Sequence, residues 1–305
     1  MYDTNTLYAE IRRLQQERSA VILAHYYQTG DIQDIADFVG DSYGLSKLAK
    51  DTDADVIVFC GVSFMAETAK ILSPTKTVLL PAPDAGCPMA DMVTPEDVLR
   101  LRAQYPDAAV ACYVNSSAGV KAVSDVCVTS SNAVKIVRAL RETQVIFVPD
   151  QNLGRYVAGM LPEKEIILHP GYCRVHHRLT AQETDAAVTL HPGAPLLAHP
   201  ECTRAVLDKA DFIGSTAQIL QQAKRSKETE FIIATEEGIL HELHRQNPEK
   251  TFHLLSNRLT CVNMKKTRLT DVRDALLLMQ YQITLEEDVM RMARRSLDRM
   301  LELAK

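Results

Sequence analysis

The stretch Gly171-Tyr172-Cys173-Arg174-Val175-His176-His177 decides how the chain is read, because its cysteine is the middle one of three at even intervals. Cys87 lies 86 residues before Cys173 and Cys261 lies 88 residues after it. Each follows a short apolar run: Thr77-Val78-Leu79-Leu80, Glu165-Ile166-Ile167-Leu168 and Phe252-His253-Leu254-Leu255. A thiol just past a buried strand, three times over, points to one structural unit used three times.

The rest of the sequence repeats with the same period. Ala36-Asp37-Phe38-Val39-Gly40-Asp41-Ser42 returns 174 residues later as Ala210-Asp211-Phe212-Ile213-Gly214-Ser215-Thr216, with a weaker copy at Ser124-Asp125-Val126-Cys127-Val128-Thr129-Ser130. Val21-Ile22-Leu23-Ala24-His25 corresponds to Pro195-Leu196-Leu197-Ala198-His199, with Val110-Ala111-Cys112-Tyr113 between them. A fixed period is a fold-level signal, and this one is too long for an ordinary solenoid repeat. Short continuous apolar runs at 19–25, 55–60 and 76–81 read as strands of a parallel sheet buried on both faces. They alternate with helical patterns, and the plan returns at 108–113, 144–148 and 164–168, then at 194–199, 230–234 and 251–255. The expected fold is α/β, with three homologous three-layer αβα domains whose parallel sheets surround a pseudo-threefold axis. The boundaries fall at 1–106 (with an amphipathic N-terminal helix carrying Leu7, Ile11 and Leu14), 107–192, 193–268 and a helical C-terminal segment, 269–305.

Composition narrows the function. Lys and Arg number 34 against 39 Asp and Glu, giving a net charge of −5 with no basic block, unlike a nucleic-acid binder. No apolar run approaches a membrane span, and the N-terminus lacks a signal-peptide pattern, so a cytoplasmic protein is expected. The seven cysteines contain no C-x-x-C pair. Cys60, Cys112, Cys127 and Cys202 have no counterparts in the other repeats and read as small core residues.

In parallel α/β units, ligands collect at the carboxyl ends of the strands. Three units about one axis bring His25, Tyr113 and His199 together, along with Ser42, Ser130 and Thr216, taken as hydroxyls capping three helices whose N-termini attract anions. Cys87, Cys173 and Cys261 converge in the same way. Structural zinc sites draw on local C-x-x-C turns, whereas thiolates from three domains suit an iron–sulfur cluster. Three ligands leave one iron open as a Lewis acid.

Taken together, these residues resemble the quinolinate synthase family. The resemblance runs through Ala24-His25-Tyr26-Tyr27-Gln28, Gly40-Asp41-Ser42, Gly86-Cys87, Tyr113-Val114-Asn115-Ser116 and Thr129-Ser130-Ser131-Asn132. It continues through Gly171-Tyr172-Cys173 with His176, His199-Pro200-Glu201-Cys202, Gly214-Ser215-Thr216, and Cys261 with Asn263-Met264-Lys265. It implies one 4Fe–4S cluster on Cys87, Cys173 and Cys261. It also implies condensation of iminoaspartate with dihydroxyacetone phosphate to quinolinate in NAD biosynthesis, with L-aspartate oxidase or aspartate dehydrogenase as the supplier of iminoaspartate. By the same resemblance His25, Ser42, Asn115, Ser130, His176 and Thr216 contact substrate, while Glu201, Tyr27, Tyr113 and His199 carry the chemistry. Glu201 is the acid/base candidate, and His199 and Glu201 face one way on an extended backbone. Met264, three after Cys261, leaves no partner for a disulfide beside the third cluster cysteine.

Two other readings fit three cluster cysteines: a reductive dehydroxylase of isoprenoid synthesis, acting on an allylic diphosphate, and a non-catalytic iron–sulfur redox sensor. His169, His177, His191, His241, His244 and His253 lack any triplicate logic and read as surface or loop residues. Glu236-Glu237 follows a strand end in the third repeat without acidic counterparts, and the sequence does not say which of His176 and His177 matters more.

Overall fold

The computed structural model describes residues 4–305. It contains three separate four-stranded sheets, all parallel, each with the same strand order. The first holds β1 (Ala20–His25), β2 (Phe38–Gly40), β3 (Val56–Cys60) and β4 (Thr77–Leu79) in the order β2-β1-β3-β4. The second repeats it with β5 (Ala109–Tyr113), β6 (Val126–Val128), β7 (Gln144–Val148) and β8 (Glu165–Leu168). The third uses β9 (Leu196–Ala198), β10 (Phe212–Ile213), β11 (Glu230–Ala234) and β12 (Thr251–Leu254). Helices flank the sheets, so the α/β architecture of three αβα units is as the repeat implies.

Alternation along the strands decides which face meets which helix layer. In the first unit Ile22, Ala24, Val56 and Val58 pack against Leu7, Ile11, Leu14, Val272 and Leu276. Val21, Leu23, Ile57 and Phe59 face the other way, into a core that continues into the second unit. Helix Leu269–Leu278 thus completes the first unit, and helix Glu287–Leu303 buries Leu297 and Met300 in that shared core. Between these helices the chain pairs antiparallel with β4: Leu80 N–H donates to Tyr281 O (3.1 Å) and Ile283 N–H to Val78 O (2.8 Å). This covers an edge that would otherwise expose unpaired backbone groups.

The second strand of each unit is an edge of two or three residues, which the sequence reading did not mark as a strand. Its place is fixed by the aspartate just before it. Asp37, Asp125 and Asp211 accept from the backbone N–H of Ile22, Val110 and Leu196 at 2.8, 2.7 and 2.8 Å. Each aspartate's own N–H donates back to the carbonyl of the same residue. The repeated aspartates are therefore structural clips that hold the edge in register.

Candidate active site where the three units meet

The carboxyl ends of the strands surround one cavity of about 260 Å³. Its wall is built in tiers set by the first, second and fourth strands of each unit. At the carboxyl end of the first strand of each unit stand the equivalent residues His25, Tyr113 and His199, and two residues further Tyr27, Asn115 and Glu201. After the second strand come Ser42, Ser130 and Thr216, and after the fourth Cys87, Cys173 and Cys261. All of these line the cavity, and so does His176. The equivalence of Tyr27, Asn115 and Glu201 follows from the same 88- and 86-residue spacings but is hidden by their different chemistry.

The hydroxyl tier differs from expectation. Ser42 and Thr216 are not caps; Asp41 and Ser215 are, accepting from Gly44 N–H and Gln218 N–H. Asn132 takes that position before Ala133–Ala139, and its Oδ1 accepts from Thr129 N–H at 2.7 Å. With the caps supplied by neighbours, Ser42, Ser130 and Thr216 are left facing the cavity.

His199 and Glu201 converge by a turn, not by an extended backbone. Glu201 N–H donates to His199 Nδ1 (3.3 Å), and Tyr27 N–H donates to His25 Nδ1 in the same way (3.1 Å). Nδ1 is an acceptor in both rings, which leaves Nε2–H as the donor. Burial lowers both imidazoles to a pKa of about 3, so they are neutral. Burial likewise raises the phenols of Tyr27 and Tyr113 well above their ordinary range, reinforced by the Glu201 charge. Glu201 itself is fully enclosed. Burial works to raise its carboxyl, but the imidazoles of His199 and His176 and the Tyr113 phenol reverse this and hold it below the ordinary carboxylate range.

Of the two histidines after Cys173, His176 belongs to the site. The short helix Arg174–His177 turns it inward, with Nδ1 2.7 Å from Glu201 Oε2 and 3.3 Å from Cys173 Sγ. His177 turns away to Asn152 (2.9 Å) and stacks on Tyr172. His169 is buried rather than at the surface, its Nδ1 accepting from Gly171 N–H in the turn before Cys173. Gly171 is required there, since a Cβ would stand 2.6 Å from Pro149 O.

The thiols of Cys87, Cys173 and Cys261 line the cavity side by side, and burial pushes each of them up, Cys87 to about 12. Glu236 does have an acidic counterpart, Asp150, two residues past the equivalent strand. Glu236 Oε1 accepts from Cys261 N–H (2.9 Å) and Asp150 Oδ2 from Cys173 N–H (3.1 Å). The Cys87 loop lacks such a carboxylate; Asn263 Nδ2 donates to Gly86 O instead (2.7 Å). Cys60, Cys112, Cys127 and Cys202 are fully buried in the cores, away from this wall.

The family described as "Quinolinate synthetase A protein" matches residues 9–302. The chain belongs to that family. It is 55% identical over 303 residues to a quinolinate synthase of Alkaliphilus metalliredigens, covering 99% of this chain and 100% of that protein. It is 54% identical over 294 residues to one of Caldicellulosiruptor bescii (96% and 97% covered). With one of Methanoregula boonei the identity is 52% over 303 residues (99% and 100% covered). Membership makes the chain an enzyme of the quinolinate synthase kind, in NAD biosynthesis. No helix among the described residues is long and apolar enough to cross a membrane.

Several residues at this site escaped the sequence reading. Thr235, Asp150 and Lys265 have no triplicate signature: the equivalents of Thr235 are Gly61 and Pro149, those of Asp150 are Val62 and Glu236, and Lys265 lies beyond the fourth strand, in the loop of Cys261. Lys265 Nζ bonds Tyr27 O (2.6 Å) and pairs with Glu236 (2.9 Å), fixing the Tyr27 backbone. Gly238 packs against that same backbone, where a Cβ would stand 2.7 Å from Tyr27 Cα.

Proposed function

We propose that this enzyme condenses iminoaspartate with dihydroxyacetone phosphate to quinolinate, releasing phosphate and two waters. The observation that carries the reading is the convergence of equivalent residues from three units, three thiols among them, on one cavity.

The donor set fits a 4Fe–4S cluster held by Cys87, Cys173 and Cys261. It offers three soft sulfur ligands, one per unit, with backbone amides tied back by Asp150 and Glu236. A cluster with one iron free of cysteine supplies Lewis-acid assistance to loss of a substrate oxygen.

The chain's own residues supply the rest. His25 and His199, neutral and donating through Nε2, hold substrate carboxylates without repelling one another. Ser42, Ser130 and Thr216 add hydroxyl donors, and the side-chain oxygen of Asn115, buried without a partner, awaits a donor from the ligand. Arg174 and Arg178 line the same cavity and suit the phosphate. Glu201 is ionised and in contact with His176, so it serves as the base that takes a proton from the condensing carbons; Tyr113, against it, delivers one back. Iminoaspartate must come from an enzyme that oxidises aspartate.

The test is an anaerobic assay with both substrates and the intact enzyme. Quinolinate and phosphate in equal amounts are expected. Phosphate release without the pyridine ring, or turnover of an allylic diphosphate instead, would contradict the reading.

A further inference from the structure

Away from the cavity, three side chains of the third unit converge on one point. His191 caps the carboxyl end of helix Ala181–Leu190, Glu230 opens β11, and His253 lies in β12. His191 Nδ1 and His253 Nε2 face the same oxygen, Glu230 Oε1, at 3.2 and 2.8 Å. The two imidazoles stack, with centroids 3.6 Å apart and planes 18° from parallel. None of the three lines the cavity. Glu230 stands at the amino end of its strand, five residues before Thr235 and thus about 16 Å along the chain from the end where the thiols collect.

The fold does not ask for these residues. The same positions of the second unit, 86 residues earlier, hold Tyr105, Gln144 and Ile167. The match is structural as well: Tyr105 caps helix Pro95–Gln104, and Ile146 pairs with Ile167 as Ile232 pairs with His253. Tyr105 and Ile167 pack against the apolar core there. In the third unit both positions are imidazoles instead, and both turn to one carboxylate.

The geometry suits a cation that replaces the two imidazole hydrogens. A tetrahedral ion with bonds of about 2.0–2.2 Å holds neighbouring ligand atoms roughly 3.3 Å apart, close to both contacts observed. Two imidazole nitrogens and one carboxylate oxygen favour zinc and its first-row neighbours over calcium or magnesium. The side chain of Glu230 is 46% exposed and those of the histidines 20% and 27%. An ion therefore enters from solvent, and water completes its shell.

We propose that His191, Glu230 and His253 form a site for a divalent first-row transition metal such as zinc, which ties the end of helix Ala181–Leu190 to β11 and β12. The proposal does not depend on the function assigned to the cavity.

The probe is zinc itself, given to untagged, anaerobically purified holoenzyme by dialysis, with metal analysis and thermal unfolding as readouts. One zinc per chain should bind in addition to the iron, and the melting temperature should rise with zinc concentration. Glu230→Gln and His253→Ile install what the second unit carries at these positions. Each should weaken zinc binding by more than the 10–100-fold that loss of an outer-sphere partner costs, and abolish the rise in melting temperature, with iron content kept. Should His253→Ile fail to fold, Glu230→Gln, a change of similar size on a half-exposed side chain, decides alone. A wild type that takes up no zinc would overturn the proposal. So would equal uptake by Glu230→Gln, which would put the zinc elsewhere on the protein.

Discussion

His176 Nδ1 stands 2.7 Å from Glu201 Oε2, so a residue of the second unit and one of the third share a hydrogen bond at the centre of the molecule. Neither unit alone holds a complete site. The carboxylate proposed as the base is thus oriented across a boundary between units.

That pairing predicts the behaviour of Glu201→Gln. The substitution preserves size and most hydrogen bonding but cannot take up a proton. Turnover should fall at least ~10²-fold, the lower end of what general acid–base catalysis contributes. Iron content and affinity for quinolinate should change by less than about tenfold. Steady-state kinetics and iron analysis on one sample check both halves; near-normal turnover would remove Glu201 from the mechanism, and loss of iron would make it structural.

The seven cysteines divide into two groups by position. Serine at Cys87, Cys173 or Cys261 should abolish stoichiometric iron and sulfide and also activity. Serine at Cys60 or Cys127, both fully buried in the cores, should leave iron bound. A folded Cys60→Ser protein without iron would break the assignment.

The buried neutral histidines predict a pH effect on stability. His25 and His199 are lowered by burial from 6.5 to about 3. Below about pH 6.5 the unfolded chain binds protons that the folded chain refuses, so stability is full above that pH and falls as the pH drops toward 3. Each histidine contributes a slope of at most ~1.4 kcal/mol per pH unit. Urea unfolding between about pH 7.5 and 5.5 should show a falling midpoint, with a shallower fall in His25→Gln. A variant whose profile parallels the wild type would show that His25 is not the source.

What could be read from the sequence was what the repeat wrote three times. The cysteines, the cavity hydroxyls and the first-strand residues His25, Tyr113 and His199 recur at one spacing, and a parallel sheet has one end where ligands collect. The short second strands were not recognised, because Phe212-Ile213 and its equivalents are held by an aspartate clip rather than by a long apolar run. The caps were assigned one residue late in the first and third units and two residues early in the second, since neighbours such as Asp41 and Ser42 are both capable of the role and only the backbone geometry separates them. Thr235 lay out of reach because its contacts are made between units: the third strands are followed by Gly61, Pro149 and Thr235 at equivalent positions, and nothing local distinguishes the one that reaches both Tyr27 and His176.

The central claim is that the three cysteines and the substrate groups serve one site, with an iron open to the ligand. The direct measurement is the spectrum of the anaerobically purified cluster before and after adding quinolinate. The account predicts a saturable change as a ligand nitrogen or oxygen reaches the iron that lacks a cysteine, weakened in His199→Ala while iron content is kept. A cluster spectrum indifferent to quinolinate, in a protein that binds it by an independent measure, would contradict the account.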